Sequence, residues 1–191
     1  MCYRPIDNCK RNNSYYYINW KVSNHMSTLS VDTIQGQTTA ANVKLPAGTP
    51  LQVVQANTTT QTDIQSTSFT AISGLSQAIT PKYSSSKILI LVNLSSDFYQ
   101  NGNLSRSVSL QILRDSTQIS IRTDNCYAGT ASNSYYSLPI HGTMSFLDSP
   151  STTSAITYSV KGNISSTSNT TTLRVGNGNS NSTLTLMEIA G

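Results

Sequence analysis

From residue 50 onward the chain is a succession of short apolar segments separated by turn residues, and this spacing restricts its fold more than any other feature. Residues 108–112 alternate apolar with serine or glutamine side chains, residues 114–117 have the composition of a turn, and the alternation resumes over residues 119–121. Such a pattern is typical of a β-hairpin whose strands are buried on one face. About eight to ten strands at this spacing, without any helical period, predict an all-β chain that folds as an antiparallel β-sandwich or jelly roll.

The composition agrees with strands and excludes several classes of function. Serine and threonine together exceed a quarter of the chain, and charged residues make up only 10%, against about 25% in an ordinary globular domain. The net charge is +4, but residues 1–25 hold four basic residues against one acidic residue, so the remainder is nearly neutral. A neutral body lacks the basic stripe that nucleic acid or an anionic membrane requires. We therefore expect no nucleic-acid binding. Because no stretch reaches the ~20 apolar residues of a membrane helix, we also expect no membrane insertion.

The N-terminal part of the chain differs from the rest. Residues 1–25 contain the only tryptophan and four of the ten tyrosines, and the composition changes abruptly at Met26. We interpret residues 1–25 as an atypical leader, under the hypothesis that Met26 is the true start; a genuine aromatic docking arm is the alternative. Residues 26–49 are polar with scattered single apolar side chains, which predicts an extended connector. We predict that residues 50–191 form a single domain.

Two strongly apolar segments indicate where the domain is most buried. Residues 87–94 (KILILVNL) form the most apolar run, which predicts a central strand buried on both faces. The last predicted strand, residues 183–189, carries apolar side chains on both of its faces, so it needs cover on both. A neighbouring subunit can provide the second cover. We expect a trimer, and a twofold dimer and a monomer remain alternatives. The trimer-interface candidates are Leu184 and Leu186 on one face and Met187 and Ile189 on the other.

The sequence offers no recognisable catalytic or metal site, and we predict a protein that is not an enzyme and uses no cofactor or metal ion. His141 has no nucleophile motif such as G-x-S-x-G to accompany it. The acidic residues are dispersed, without the converging pair of a glycosidase or the clustered oxygens of a calcium loop. Asp115 and Asp148 are interpreted as turn formers, and Glu188 as a solvated or ion-paired residue, with ion binding on a trimer axis as the alternative. Cys126 is interpreted as a buried, unreactive thiol.

The strongest candidates for binding are aromatic side chains that lie among amides in two predicted loops. The first loop contains SDFYQNGNLS, and the second is a long polar and aromatic loop over residues 123–137. Aromatic faces stack on the apolar side of sugars while amides bond the hydroxyls, so such loops suit a glycan or a protein surface. The alternative is that these tyrosines pack on the edge of the core or at a subunit interface. The receptor-binding candidates are Tyr99, Asn101, Asn103, Tyr127, Asn133, Tyr135 and Tyr136.

Several phrases of the sequence, taken together, resemble a known family. They are FTAISGLSQAITPKYSSSKILILVNL, VSLQILRDSTQI, MSFLDSPSTTSAITYSVKG and STLTLMEIAG, after an opening MSTLSVDTIQGQTTAANVKLPAG. Residues 26–191 thereby resemble the small C-terminal domains of marine and cyanobacterial phage structural proteins, and more distantly the C1q/TNF-like jelly roll. In that jelly roll a proline-and-turn element leads into the central strand, as residues 81–94 would here, and the last strand lies near the trimer axis.

This resemblance implies a homotrimeric head on a bacteriophage tail fibre, located in the virion at the tail or capsid surface. It implies a structural protein that serves host attachment by binding a cell-surface polysaccharide or protein receptor, with the N-terminal segment bound to other virion or tail proteins. The receptor-binding candidates named above are not part of any family motif. Two alternatives stay open: a purely structural virion component, such as a capsid decoration or fibre adaptor, and a secreted bacterial C1q-like adhesin.

Overall fold

The computed structural model describes residues 45–101, 104–128, 135–176 and 180–191 of the 191-residue chain. The predicted leader, residues 1–25, and residues 26–44 of the predicted connector lie outside the described residues. Within the described part, no helix combines the length and the apolar character needed to cross a membrane.

The described chain consists of ten β-strands and one 3₁₀ turn, Ser168–Thr170. The strands are, in chain order, β1 (Pro50–Thr58), β2 (Thr62–Ile64), β3 (Thr70–Ile79), β4 (Lys87–Asn101), β5 (Leu104–Arg114), β6 (Thr117–Ala128), β7 (Tyr135–Asp148), β8 (Ile156–Ile164), β9 (Thr172–Val175) and β10 (Ser182–Ile189).

The strands form two antiparallel sheets, which we call the front sheet and the back sheet. The front sheet has the order β1-β10-β4-β9-β2, with β7 paired along the other edge of β4, and the back sheet has the order β3-β8-β5-β6. Among the eight longer strands, β5 pairs with β6, β4 with β7, β3 with β8 and β1 with β10. This nested pairing across two sheets is the wrapped ribbon of a jelly roll. The prediction of an all-β antiparallel sandwich is therefore confirmed.

The core lies between the sheets because the strands alternate buried and exposed side chains. On β4 every second residue over 88–100 is buried, and β10 alternates in the same way over residues 182–188. The largest fully buried side chains include Tyr158 of the back sheet and Phe98 of the front sheet. Burying such a side chain stabilises the fold by about 1.5–3 kcal/mol relative to leaving it exposed, so the sandwich interior supplies the main folding energy.

The predicted burial of residues 87–94 on both faces is wrong. Leu89 is partly buried and Leu91 is 39% exposed, and both lie on the outer face of the front sheet. In an antiparallel sandwich each sheet is covered on one face only, so a continuous apolar run leaves half of its side chains outside the core. These leucines consequently add apolar character to the outer surface.

The strand pairing defines two ends of the domain, which we call the base end and the far end. At the base end β1 begins, β10 ends and β4 begins, and the backbone N–H of Ala190 donates to the carbonyl of Thr49 at 2.9 Å. At the far end β4 connects to β5, β6 connects to β7, and the 3₁₀ turn connects β8 to β9. The fifteen residues of β4 span the distance between the two ends, about 46 Å.

Asp148 is buried, so its prediction as a turn former is wrong. It ends β7 in the front sheet and accepts hydrogen bonds from Arg114 Nη1 at 3.0 Å and the Tyr158 hydroxyl at 2.6 Å, both in the back sheet. Burial raises the pKa of Tyr158, and the hydrogen bond to Asp148 raises it further. Asp115, by contrast, has a φ of 53° and accepts from the Thr157 N–H at 3.0 Å, which confirms it as a turn former.

Glu188 is also buried, so its prediction as a solvated or ion-paired residue is wrong. Its carboxylate accepts hydrogen bonds from Gln52 Nε2 at 2.5 Å, from the Lys82 backbone N–H at 2.7 Å and from the Ser86 hydroxyl at 2.6 Å. These three donors replace the water that a buried carboxylate loses. They also hold the segment that leads into β4 against β10 at the base end.

Candidate binding surface at the far end

The two regions predicted to bind a receptor meet at the far end of the domain. In the register of β4 and β7, Asn101 is the direct partner of Tyr135 and Tyr99 is the partner of Ser137. In the register of β5 and β6, Ser105 is the partner of Tyr127, so β6 carries its tyrosine to the same end. Segments that are far apart in the sequence therefore lie side by side.

The described residues place only part of the predicted set. Asn103 and Asn133 lie outside the described residues, and Tyr127, Tyr135 and Tyr136 are placed by their strand positions. The side chains of Tyr99 and Asn101 are partly buried.

The predicted loop over residues 123–137 is too long. β6 continues to Ala128 and β7 begins at Tyr135, so both ends of the predicted loop belong to strands. The polar residues of β6 are extended because they pair with β5, where Asp124 faces Val108 and Asn125 faces Ser107. Pairing of this kind overrides the low strand propensity of aspartate and asparagine.

Tyr99 is held on the outer face of the front sheet by charged neighbours. The guanidinium carbon of Arg174 lies 5.9 Å from the centroid of the Tyr99 ring, within the range of a cation–π contact. Arg174 Nε donates to Asp63 Oδ1 at 3.1 Å, and Asp97 is the cross-strand partner of Arg174 on the opposite side. The ring thus lies beside a charged row on the outer face of the front sheet.

Arg106, near the start of β5, lies at the same end and is absent from the predicted set. It is partly buried, and its Nη2 donates to the Ser168 hydroxyl at 2.9 Å. Ser168 belongs to the 3₁₀ turn, in which Asn169 and Thr170 have left-handed φ values of 58° and 51°. The sequence does contain a signal for Arg106, because it shares the alternation phase of the buried apolar residues over 108–112, where a charge is unusual.

Cys126 is the cross-strand partner of Arg106 and is buried. Burial raises the pKa of its thiol to about 11, and the nearby charge of Asp124 adds to this effect. The prediction of a buried thiol is confirmed.

His141 is exposed on β7, and the described residues contain no group of three or more histidine, cysteine or acidic side chains placed to hold a metal ion.

The four predicted interface residues of β10 divide between the core and the outer surface. Leu184 and Leu186 are fully buried in the core of the single chain, which leaves them no surface for a second subunit. Met187 and Ile189 are partly buried on the outer face of the front sheet. Only the second pair is placed where another chain can reach it.

A row of apolar side chains crosses the outer face of the front sheet, and we call it the apolar row. It consists of Val53, Met187, Leu89 and Leu147, which are successive cross-strand partners on β1, β10, β4 and β7. Val53 is 54% exposed and Leu147 is 48% exposed. The next two rows toward the far end contain Leu91 and otherwise serine, threonine, asparagine and glutamine, so all three rows are uncharged. A contiguous exposed surface of this kind is typical of an interaction site.

No protein-family model matches the chain, and no curated protein matches it. The similar solved structures include particles of infectious bursal disease virus. The structure of the Gx strain matches at 13% identity and a TM-score of 0.35, over 76% of this chain and 33% of that chain. The VP2 subviral particle matches at 12% identity and a TM-score of 0.30, over 76% of this chain and 38% of that chain. This chain spans about a third of the length of those chains, and similarity at this level assigns neither a family nor a function to it.

Proposed function

We propose that this chain is a non-enzymatic structural protein of a bacteriophage virion, a tail-fibre head whose far end attaches to the host surface. The observation that carries the proposal is the polarity of the domain. Two regions with binding chemistry meet at the far end, whereas residues 46–49 join the domain at the base end, beside β10. A fibre head needs this arrangement, because the fibre shaft joins one end of the domain and the receptor binds the opposite end.

The far end supplies groups that suit a polar or glycosylated surface. Tyrosine rings stack on the apolar faces of sugars, and the amide nitrogen of Asn101 can donate to a hydroxyl group. At the far end, sheet pairing continues along β4, β5, β6 and β7 almost to the connections between β4 and β5 and between β6 and β7. Most of the backbone next to these connections is therefore already ordered. Binding then costs less conformational entropy than it would in a long loop.

The same proposal includes a homotrimer that packs through the apolar row and its two uncharged neighbouring rows. An exposed apolar surface without charges favours association, because burying it removes apolar area from water without desolvating an ion. Met187 is the member of the apolar row that lies on the last strand, and Ile189 lies beside that row toward the base end, as the cross-strand partner of Lys87. Three copies would present three far ends to a repetitive cell surface, and weak single sites would gain avidity from simultaneous binding.

Binding to bacterial cells tests the attachment function. Fluorescently labelled protein is incubated with a panel of bacteria that includes the host, and retained fluorescence is measured after washing. The double variant Tyr135→Ala/Tyr136→Ala should lose binding by about tenfold or more, the cost of truncating a few central aromatic side chains. Thr153→Ala, an exposed change at the base end, is the matched control and should bind as the wild type does.

The outcome separates attachment from the alternatives. Failure of the wild-type protein to bind any host cell, or equal binding by the double variant and the wild type, would contradict the far-end assignment. Immunogold labelling of phage particles should decorate the tail tip. Gold on the capsid shell would instead favour a capsid decoration, and secretion of the chain by bacteria that carry no phage would favour an adhesin.

A further inference from the structure

Arg106 differs from every other arginine that the structure describes. Arg114 pairs with Asp148 at 3.0 Å, Arg122 with Asp124 at 2.9 Å and Arg174 with Asp63 at 3.1 Å. Within the described residues Arg106 forms no ion pair. The internal segments outside the described residues, 102–103, 129–134 and 177–179, contain no aspartate or glutamate in the sequence. The head domain therefore offers Arg106 no carboxylate from these segments.

The remaining acidic residues of the domain are placed elsewhere. Glu188 accepts its three hydrogen bonds at the base end, and Asp115 forms the turn between β5 and β6, also at the base end. Asp97 lies on the outer face of the front sheet, partly buried, in register with Arg174. Among the described residues, Arg106 consequently has no carboxylate partner at the end of the domain that carries the candidate binding residues.

The contacts of Arg106 are with neutral groups. Nη1 donates to the Ser105 carbonyl at 3.3 Å and Nη2 donates to the Ser168 hydroxyl at 2.9 Å. A guanidinium has five N–H groups, so each terminal nitrogen keeps a second hydrogen beyond these two bonds. Neutral oxygens orient the guanidinium but do not neutralise its charge. Arg106 lies on the inward-facing side of β5, where burying such a charge is unfavourable.

The 3₁₀ turn beside Arg106 is held in an unfavourable backbone conformation. Thr170 is β-branched and nevertheless left-handed, and it follows a left-handed Asn169. The Thr171 hydroxyl donates to the Ser168 carbonyl at 2.7 Å, and the Ser166 and Ser168 hydroxyls lie 2.8 Å apart, so the turn is fixed by its own side chains. Asn169 and Thr170 are exposed. Strain of this kind concentrates at functional sites.

We propose that Arg106 binds the carboxylate of an acidic sugar in the host-surface polysaccharide, with hydroxyl and amide groups of the 3₁₀ turn beside it. The inference rests on the proposed attachment function and adds the chemical class of the ligand. A planar guanidinium pairs with a planar carboxylate through two N–H···O bonds in one plane; a sulfate can accept two such bonds as well, but its other oxygens lie outside that plane. Charge-assisted hydrogen bonds to Arg106 would give the charge recognition.

Binding to three defined polymers tests the inference with the full chain. Polygalacturonate carries carboxylates, dextran sulfate carries sulfates and dextran is neutral; each is immobilised, and binding is measured by biolayer interferometry at low salt and at 0.15 M salt. The wild-type protein should bind polygalacturonate more tightly than either of the others, and more weakly at the higher salt. Arg106→Gln should weaken binding to polygalacturonate by about 10-fold to 100-fold, the range of a hydrogen bond to a charged group.

Two further variants keep the result interpretable. Lys87→Gln removes the same charge from an exposed position at the base end and should leave binding unchanged. Arg106→Lys keeps the charge without the planar fork, so it should bind between the wild type and Arg106→Gln, and its thermal midpoint shows whether the site tolerates substitution.

The inference is overturned if the wild-type protein prefers dextran or dextran sulfate, or binds none of the polymers. It is overturned equally if Lys87→Gln and Arg106→Gln lose the same amount, since that would show attraction by net charge alone. Host-cell binding separates this inference from the attachment proposal. Equal cell binding by Arg106→Gln and the wild type would sink the carboxylate site and leave attachment standing, whereas a wild-type protein that binds no cells would sink attachment itself.

Discussion

Glu188 and Asp148 show how single buried carboxylates organise the base end. Each accepts hydrogen bonds from more than one element: Glu188 from β1 and from the segment before β4, and Asp148 from β5 and β8. A buried carboxylate is tolerated only when such donors compensate its lost hydration. Removing its charge, or one of its donors, is therefore expected to cost more than a surface substitution.

Replacing Glu188 with glutamine should destabilise the domain by about 2–4 kcal/mol, because the amide nitrogen cannot accept a hydrogen bond from any of the three donors. Urea unfolding monitored by far-UV circular dichroism measures the change in the free energy of unfolding. Ser86→Ala, which removes one donor and keeps the carboxylate, should cost only about 1 kcal/mol. A Glu188→Gln variant as stable as the wild type would show that these hydrogen bonds do not contribute to folding.

Tyr158→Phe should destabilise the domain near neutral pH by about 1.5–3 kcal/mol, because Asp148 loses a hydroxyl donor in the core. The cost should shrink at alkaline pH. The native pKa of Tyr158 is raised above its ordinary value of 10.0, so the unfolded chain ionises first and wild-type stability falls as the pH rises past that value. Phenylalanine lacks this ionisation. The difference in urea stability should therefore narrow by about 1 kcal/mol between pH 8 and pH 10.5, and a constant difference would contradict the assignment.

At the scale of residues, local chemistry was predictable and long-range partners were not. Asp115 could be recognised as a turn former because its role depends on the four residues around it. The environment of Glu188 depends on Gln52, Lys82 and Ser86, which lie more than a hundred residues away in the sequence. That Arg106 has no carboxylate partner among the described residues is likewise visible only once the acidic residues of those segments have been placed.

At the scale of elements, strands with a nearby partner were predicted well. The hairpin over residues 108–121 is β5 and β6, and the predicted last strand is β10. Strand β2 has only three residues and pairs with β9 far along the chain, so no local pattern reveals it. The burial of β4 was overestimated because an apolar run fits both a strand covered on two faces and a strand whose outer face meets water or another subunit.

Gly162 of β8 shows how tightly the two sheets pack. A Cβ atom at this position would lie 2.9 Å from Ile64 Cδ1 and 3.2 Å from Leu173 Cδ2, which belong to the opposite sheet. Gly162→Ala should therefore destabilise the domain by about 1–3 kcal/mol through overpacking. Ser159→Ala, on the outer phase of the same strand, should change stability by less than about 0.5 kcal/mol. Equal thermal midpoints for the two variants would show that the sheets can separate locally at little cost.

At the scale of the whole molecule, the two sheets have different outer faces. The front sheet carries the apolar row, whose members come from four strands and are spread over residues 53–187. Sequence patterning identified only Met187 of this row, because the alignment of Val53, Leu89 and Leu147 beside it depends on the register of three strand pairs. The back sheet has a comparably exposed apolar residue in Ile121.

This difference between the sheets gives a matched test of the homotrimer. Light scattering coupled to size exclusion should report three chain masses for the wild type. Leu147→Asp should shift the protein to a single chain, because association would bury an unpaired carboxylate within the apolar row. Ile121→Asp introduces the same charge at a side chain of nearly equal exposure, 50% against 48%, but on the back sheet, and should leave the mass unchanged. A monomeric wild type, or a loss of assembly in Ile121→Asp rather than Leu147→Asp, would show that the apolar row does not hold subunits together.

The thermal midpoint gives a second measurement of the same association. Contacts between subunits stabilise only the assembled form, and assembly increases with protein concentration. The thermal midpoint of the wild type should therefore rise with concentration, while that of Leu147→Asp stays constant.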